Sequence, residues 1–265
     1  MIIDFHTHCF PDSVAEKALH SLSAAAGLTP VSQDFTSAGL TAFAKSCGVD
    51  YSVALSIATK PSQNFSVNKF AVSLKQMAGI ISFGSVYPGA DDAIESLRTI
   101  SAAGLAGIKL HPEYQSFYVD DEKNAYPVYE FCEEHDLVVV FHAGVDLGIE
   151  PPVRSTPDRI ARVARAFPKL KIVAAHLGGY FCWDMAKHFL VGSEVFLDTA
   201  YISRDLPTER AFDIIKSHGP EKVLMGSDFP WESPADTIAY IKSLPLTLSE
   251  HEMILGQNAA KLLGL

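Results

Sequence analysis

Cysteine is scarce in this 265-residue chain, and what there is does not pair into a motif. Cys9, Cys47, Cys132 and Cys182 are widely separated and none belongs to a C-x-x-C pair, which argues against a disulfide framework and makes the cytoplasm the expected location. Long apolar runs are also missing. None approaches the roughly 20 residues that span a bilayer. The N-terminus lacks the basic stretch and apolar core of a secretory leader, so neither a membrane nor an export route is expected. Positive charge is in deficit. Lys and Arg number 21 against 31 Asp and Glu, for a formal net charge of −10. Such a surface repels phosphate backbones and excludes nucleic acid as the expected partner. No low-complexity segment and no linker interrupts the chain, so residues 1–265 read as one domain.

What is present is a regular alternation. Short apolar runs occur at residues 2–6, 51–57, 80–86, 106–111, 137–142, 171–176, 194–199 and 222–228. Several are nearly continuous in Val, Ile and Leu, as strands buried on both faces require. Helical spacing fills the gaps: Ile94, Leu97 and Ile100 recur every third residue, and Ile160, Val163, Ala164 and Phe167 fall at i, i+3, i+4 and i+7. Ser155-Thr156-Pro157 marks a helix start. The last stretch, residues 248–265, reads as a closing helix with Leu255, Ala259, Leu262 and Leu263 turned inward. After a long first connection, about residues 9–50, the units repeat at roughly the length of a βαβ element. Eight strands predict an α/β fold of the (β/α)₈ TIM-barrel type. An open doubly wound sheet is the alternative, disfavoured because no glycine-rich phosphate loop follows the first strand.

Polar residues concentrate where those strands end. The opening IIDFHTH finishes on His6 and His8, and strand alternation would put Asp4, His6 and His8 on one face. His111, His142 and His176 end the fourth, fifth and sixth strands, and Asp228 ends the eighth. Barrel active sites are built from several strands at this end. Neutral imidazoles with one carboxylate suit a divalent ion such as Zn²⁺, which lowers the pKa of a bound water from near 15.7 toward about 7. Each residue also has a plainer reading. An H-x-H pair alone is weak, a lone strand-end histidine is commonly structural, Asp228 before Phe-Pro reads as a turn or cap, and HPE at 111–113 as loop chemistry. Their coincidence at the strand ends of one barrel favours a single site.

His6-Thr7-His8, the lone His142, HLGG at 176–179 and GSDFPW at 226–231 together resemble the amidohydrolase superfamily, most closely the amidohydrolase-2 branch that includes aminocarboxymuconate semialdehyde decarboxylase. The resemblance implies one divalent metal, zinc or another such as Mn²⁺, held by His6, His8, His142 and Asp228. It implies that Asp228 is also the catalytic acid/base and that His176 orients the water or polarises the substrate. Asp4 would support the site from behind. Lys109, two residues before His111, could instead be a carboxylated lysine bridging two metals, as in binuclear members, or a lysine paired with a carboxylate or an anionic substrate.

The expected partner is a small molecule. Phe10, Tyr114, Phe117, Tyr118, Phe181, Trp183 and Trp231 lie near predicted strand ends and offer walls for a planar compound, or else cover the core. Arg154, Arg204 and Lys109 are candidates for gripping a carboxylate. The first expectation is a metal-dependent hydrolase, with activated water attacking a C–N or C–O bond. The alternative is a non-oxidative decarboxylase of an aromatic or muconate-like acid on the same metal site, and a barrel that only binds is the third reading. Barrels of this type often pair, so a homodimer is an open arrangement that no segment marks.

Overall fold

The computed structural model describes residues 1–265 and contains eight parallel strands: β1 (Ile3–Thr7), β2 (Tyr51–Leu55), β3 (Ile80–Phe83), β4 (Gly107–Leu110), β5 (Val138–Phe141), β6 (Ile172–Ala174), β7 (Phe196–Asp198) and β8 (Val223–Leu224). They form two runs, β1-β2-β3 and β4 through β8 in order. Backbone hydrogen bonds join the runs at both ends. Gly84 N–H donates to Gly107 O at 2.9 Å and Lys109 N–H to Gly84 O at 2.9 Å, while Phe5 N–H donates to Met225 O and Asp228 N–H to His6 O, both at 2.8 Å. The ring is closed, and the chain is the expected (β/α)₈ barrel.

Period-two alternation sorts the core. On β5, Val139 and Phe141 belong to the large apolar cluster that includes helix residues such as Val128 and Ile160. Val138 and Val140 belong to a smaller cluster with Phe5, Val53, Phe83 and Leu224, drawn from other strands, which fills the barrel interior. The helices predicted from spacing are present as Ala93–Ala102 and Pro157–Ala166. The closing helix is three consecutive segments, with a π-helical turn at Met253–Gln257 between Leu248–Glu252 and Asn258–Leu263. The long first connection holds two helices, Asp12–Ala26 and Ser37–Ser46. No helix is long and apolar enough to cross a membrane.

Two departures from the sequence reading bear on the site. The eighth strand is far shorter than its apolar run, because its backbone donors leave the ladder: Gly226 N–H goes to Thr199 Oγ1, Ser227 N–H to Asp4 Oδ1 and Asp228 N–H to His6 O. The pairing of β1 with β2 also slips register between Asp4 and Thr7. A slip of this kind breaks strict alternation. Phe5 therefore packs inside the barrel while His6 and His8 still turn to its open end, and Asp4 does not share their face. Its carboxylate instead accepts from Ser227 N–H at 2.9 Å and from Ser227 Oγ–H. Burial pushes the Asp4 carboxyl up to about 7, against the lowering effect of those bonds. Asp4 thus supports the site by fixing the turn that presents Asp228.

Candidate metal centre

The upper end of the barrel opens into a cavity of about 840 Å³ whose lining includes His6, His8, Lys109, His142, His176 and Asp228. Three of these converge. His6 Nε2, His8 Nε2 and Asp228 Oδ1 lie close together, with Asp228 Oδ1 at 3.5 Å from His6 Nε2 and 3.1 Å from His8 Nε2. The outer nitrogens of both rings are already committed. His6 Nδ1 meets Asp198 Oδ2 at 2.8 Å and His8 Nδ1 meets Leu55 O at 3.0 Å. A carbonyl or carboxylate oxygen can only accept, so both Nδ1 atoms carry the hydrogen and both Nε2 atoms present lone pairs. Two lone pairs facing a carboxylate repel one another where no cation lies among them; Lys109 Nζ meets that of His6 alone, and the donor set is one that Zn²⁺ or Mn²⁺ accepts.

His142 sits beside this trio, grouped instead with His111 and Asp146. Its ring stacks on His111 at 4.2 Å between centroids, and His111 Nε2 pairs with Asp146 Oδ2 at 3.2 Å. His176 Nδ1 donates to Ala200 O at 2.8 Å, which leaves His176 Nε2 to accept from His142 Nδ1 at 3.0 Å. That chain of bonds leaves His142 Nε2 unprotonated, and this atom is buried without a hydrogen-bond partner. An orphaned, buried lone pair is what a ligand needs before its ion arrives, so the residues present fit a metal. His6, His8 and Asp228 are brought together as expected, and His142 contributes a free nitrogen one ring away.

Burial works against a charge on three of the rings. Burial and the nearby Lys109 cation push His6 down to about 4. Burial, then His111 and His176, holds His142 well below the ordinary histidine value, and burial lowers His176 as well. For Asp228, burial alone would raise the carboxyl, but the adjacent His6 and His8 rings hold it down to about 2. Lys109 is fully buried with Nζ 3.2 Å from His6 Nε2, and burial lowers it to about 8. Asp228 and His176 both have backbone in the left-handed region, with φ of 66° and 59°. Such residues cost energy and persist where other contacts fix them. Gly144, after His142, has φ of 84°, and a Cβ there would lie 2.3 Å from Tyr180 N, so only glycine lets the loops after β5 and β6 touch.

The key residue absent from the sequence reading is Asp198. It is fully buried, and its Oδ1 accepts from His176 N–H at 2.9 Å and Ala200 N–H at 3.0 Å while Oδ2 holds His6. The signal was there: an acid at the end of the seventh apolar run, EVFLDTA. Of the seven aromatic residues proposed as walls, Phe10, Tyr114 and Trp231 line the cavity. Phe117 and Trp183 are core, and Tyr118 and Phe181 lie exposed elsewhere. Arg154 and Arg204 also lie outside the lining. Arg154 N–H donates to Glu113, and Arg204 stands over the Tyr201 ring.

Glu232 is another buried acid, 2% exposed, held by a 2.6 Å bond from Thr237 Oγ1–H. Burial pushes its carboxyl up from the ordinary value of 4.5 to about 7. The folded protein therefore holds this proton more tightly than the unfolded chain, and stability falls as pH rises from 4.5 through 7. Glu232→Gln removes that loss. Its Tm should exceed wild type by roughly 5 °C at pH 8.5 and match it near pH 5. A Tm difference independent of pH refutes the assignment.

Loss of His6 should empty the centre. Protein purified without chelator or affinity-tag metal is expected to carry near one equivalent of divalent ion by elemental analysis, and His6→Ala a small fraction of that. Near two equivalents would instead make Lys109 a bridging ligand.

The sequence profile of a family described as amidohydrolase matches residues 3–265. Comparison with curated protein sequences finds no match. Among solved structures, the chain is similar to 5-carboxyvanillate decarboxylase LigW from Sphingomonas paucimobilis, with 16% identity, coverage of 100% of this chain and 99% of that one, and a TM-score of 0.75. It is similar to an uncharacterized TIM-barrel protein from Bordetella bronchiseptica, with 21% identity, 99% and 98% coverage and a TM-score of 0.79. A dihydroxybenzoic acid decarboxylase from Polaromonas sp. JS666, solved with bound manganese and the inhibitor 2-nitroresorcinol, gives 13% identity, 100% and 97% coverage and a TM-score of 0.71.

Proposed function

Because the chain belongs to the amidohydrolase family, we propose that it is a metal-dependent non-oxidative decarboxylase of an aromatic carboxylic acid. The observation that carries this reading is the placement of Lys109. A buried amine in the cavity floor, 3.2 Å from His6 Nε2, stands beside the candidate metal ligands, so an incoming acid would meet a cation as well as the metal. A neutral amide or ester gains little from that second positive centre. The decarboxylases among the similar structures, several of them with manganese, support the same choice over hydrolysis.

His6, His8 and Asp228 would hold the ion, with His142 Nε2 as the further donor. When bound, the ion supplies Lewis-acid polarisation of a substrate oxygen. The chain's own residues supply the rest. Lys109 attracts the acid and orients its carboxylate. The ring carbon that loses CO₂ must gain one proton, and Asp228 lies at the cavity floor to deliver it. Asp228 is ionised in the free protein, so it first takes that proton from the substrate's own hydroxyl or from water.

The manganese-loaded protein is to be incubated with a panel of hydroxybenzoates in D₂O. The expected result is CO₂ release with one deuterium at the vacated ring carbon. No CO₂ from any acid, together with ¹⁸O from labelled water entering the product of an amide or lactone, would return the function to hydrolysis.

A further inference from the structure

The cavity has two zones. Its floor is the polar cluster already described. Its outer part is formed by the helix Asp12–Ala26, which buries only Ala15 and Leu19, packed with Phe35. A second stripe of this helix faces the cavity: Val14, Lys17, Ala18, Ser21 and Leu22 all line it, at i, i+3, i+4, i+7 and i+8. Val67 and Phe70, one turn apart on the helix Asn64–Leu74, line it too. Two helices thus turn mainly apolar stripes toward a space continuous with the reaction centre. At about 840 Å³ the cavity lies in the range that encloses drug-sized ligands, far more than a single substituted ring on the floor would fill.

We propose that this outer zone is a substrate subsite, and that the natural substrate carries a second apolar group, a ring or a chain of similar size, beyond the ring at the metal centre. Which end reaches the floor rests on the decarboxylase reading. Burial of apolar area between the two stripes is favourable in proportion to the area covered, and no charged group other than Lys17 interrupts the stripe on Asp12–Ala26. A lysine at that position does not oppose entry of an acid.

The test is calorimetric titration of the manganese-loaded protein with benzoate and with biphenyl-4-carboxylate, which differ only by the second ring. The biphenyl acid is expected to bind at least tenfold more tightly. Ala18→Trp and Val67→Trp fill the outer zone from different helices, and each should cut the ratio below threefold. Manganese content, read on the same samples, establishes that the floor is intact. Equal affinities in wild type, no binding of either acid, or a ratio unmoved by both tryptophans would overturn the subsite. Failure of the metal reading shows separately, as a His6→Ala variant that keeps its manganese and binds both acids as wild type does, because the ratio of affinities does not depend on that outcome.

Discussion

Asp228→Asn is expected to lower kcat for CO₂ release by about 10²–10⁴-fold while leaving the fold intact. Asparagine has the same size and tolerates the left-handed backbone that Asp228 adopts at φ 66° nearly as well as aspartate does, so the substitution adds no backbone cost. Its carbonyl oxygen can still face the metal position near His8. What it cannot do is accept and return a proton. The check is a single-turnover measurement on protein whose metal content matches wild type. A rate within tenfold of wild type would remove Asp228 as the proton donor and direct attention to His176.

Asp198→Asn is expected to weaken metal binding by about 10–100-fold without touching a ligand atom. The reason lies in the hydrogen on His6. Asp198 Oδ2 accepts from His6 Nδ1, which keeps the Nε2 lone pair turned to the cavity. With Oδ1 retained for the backbone donors of His176 and Ala200, the amide nitrogen of asparagine would face His6 Nδ1 and donate to it. The ring hydrogen then moves to Nε2, where it blocks coordination. Competition with a chromophoric chelator measures the change. Unaltered affinity would mean that Asp198 serves only the backbone of the loop after β6.

The barrel and the convergence of His6, His8 and Asp228 were legible because they follow from strand spacing and from which residue ends each strand. The site's supports were harder to read. Asp4 satisfied the alternation rule on paper, but the register slip in β1 turned it to Ser227. Asp198 was visible only as one more strand-end acid, and its importance depends on a 2.8 Å contact with a residue 192 positions away. Likewise, His142 read as an equal fourth ligand. Side-chain packing with His111 and His176 decides where its ring sits, and no periodicity encodes that. The aromatic walls divided between cavity and core because loop paths, unlike strand order, are not fixed by hydrophobic pattern.

The seam between β1 and β8 has a bearing on how the molecule comes into being. His6 and His8 are synthesised well before Asp228, because the carboxylate they face is 220 positions behind His8, and Asp228 N–H bonds the carbonyl of His6 itself. A nascent chain holds the two histidines without their carboxylate until the β8 segment has been made. Assembly of the centre and closure of the ring are therefore one event. An ion that binds only the closed ring acts as a latch on it, favouring the finished barrel in proportion to the logarithm of its free concentration.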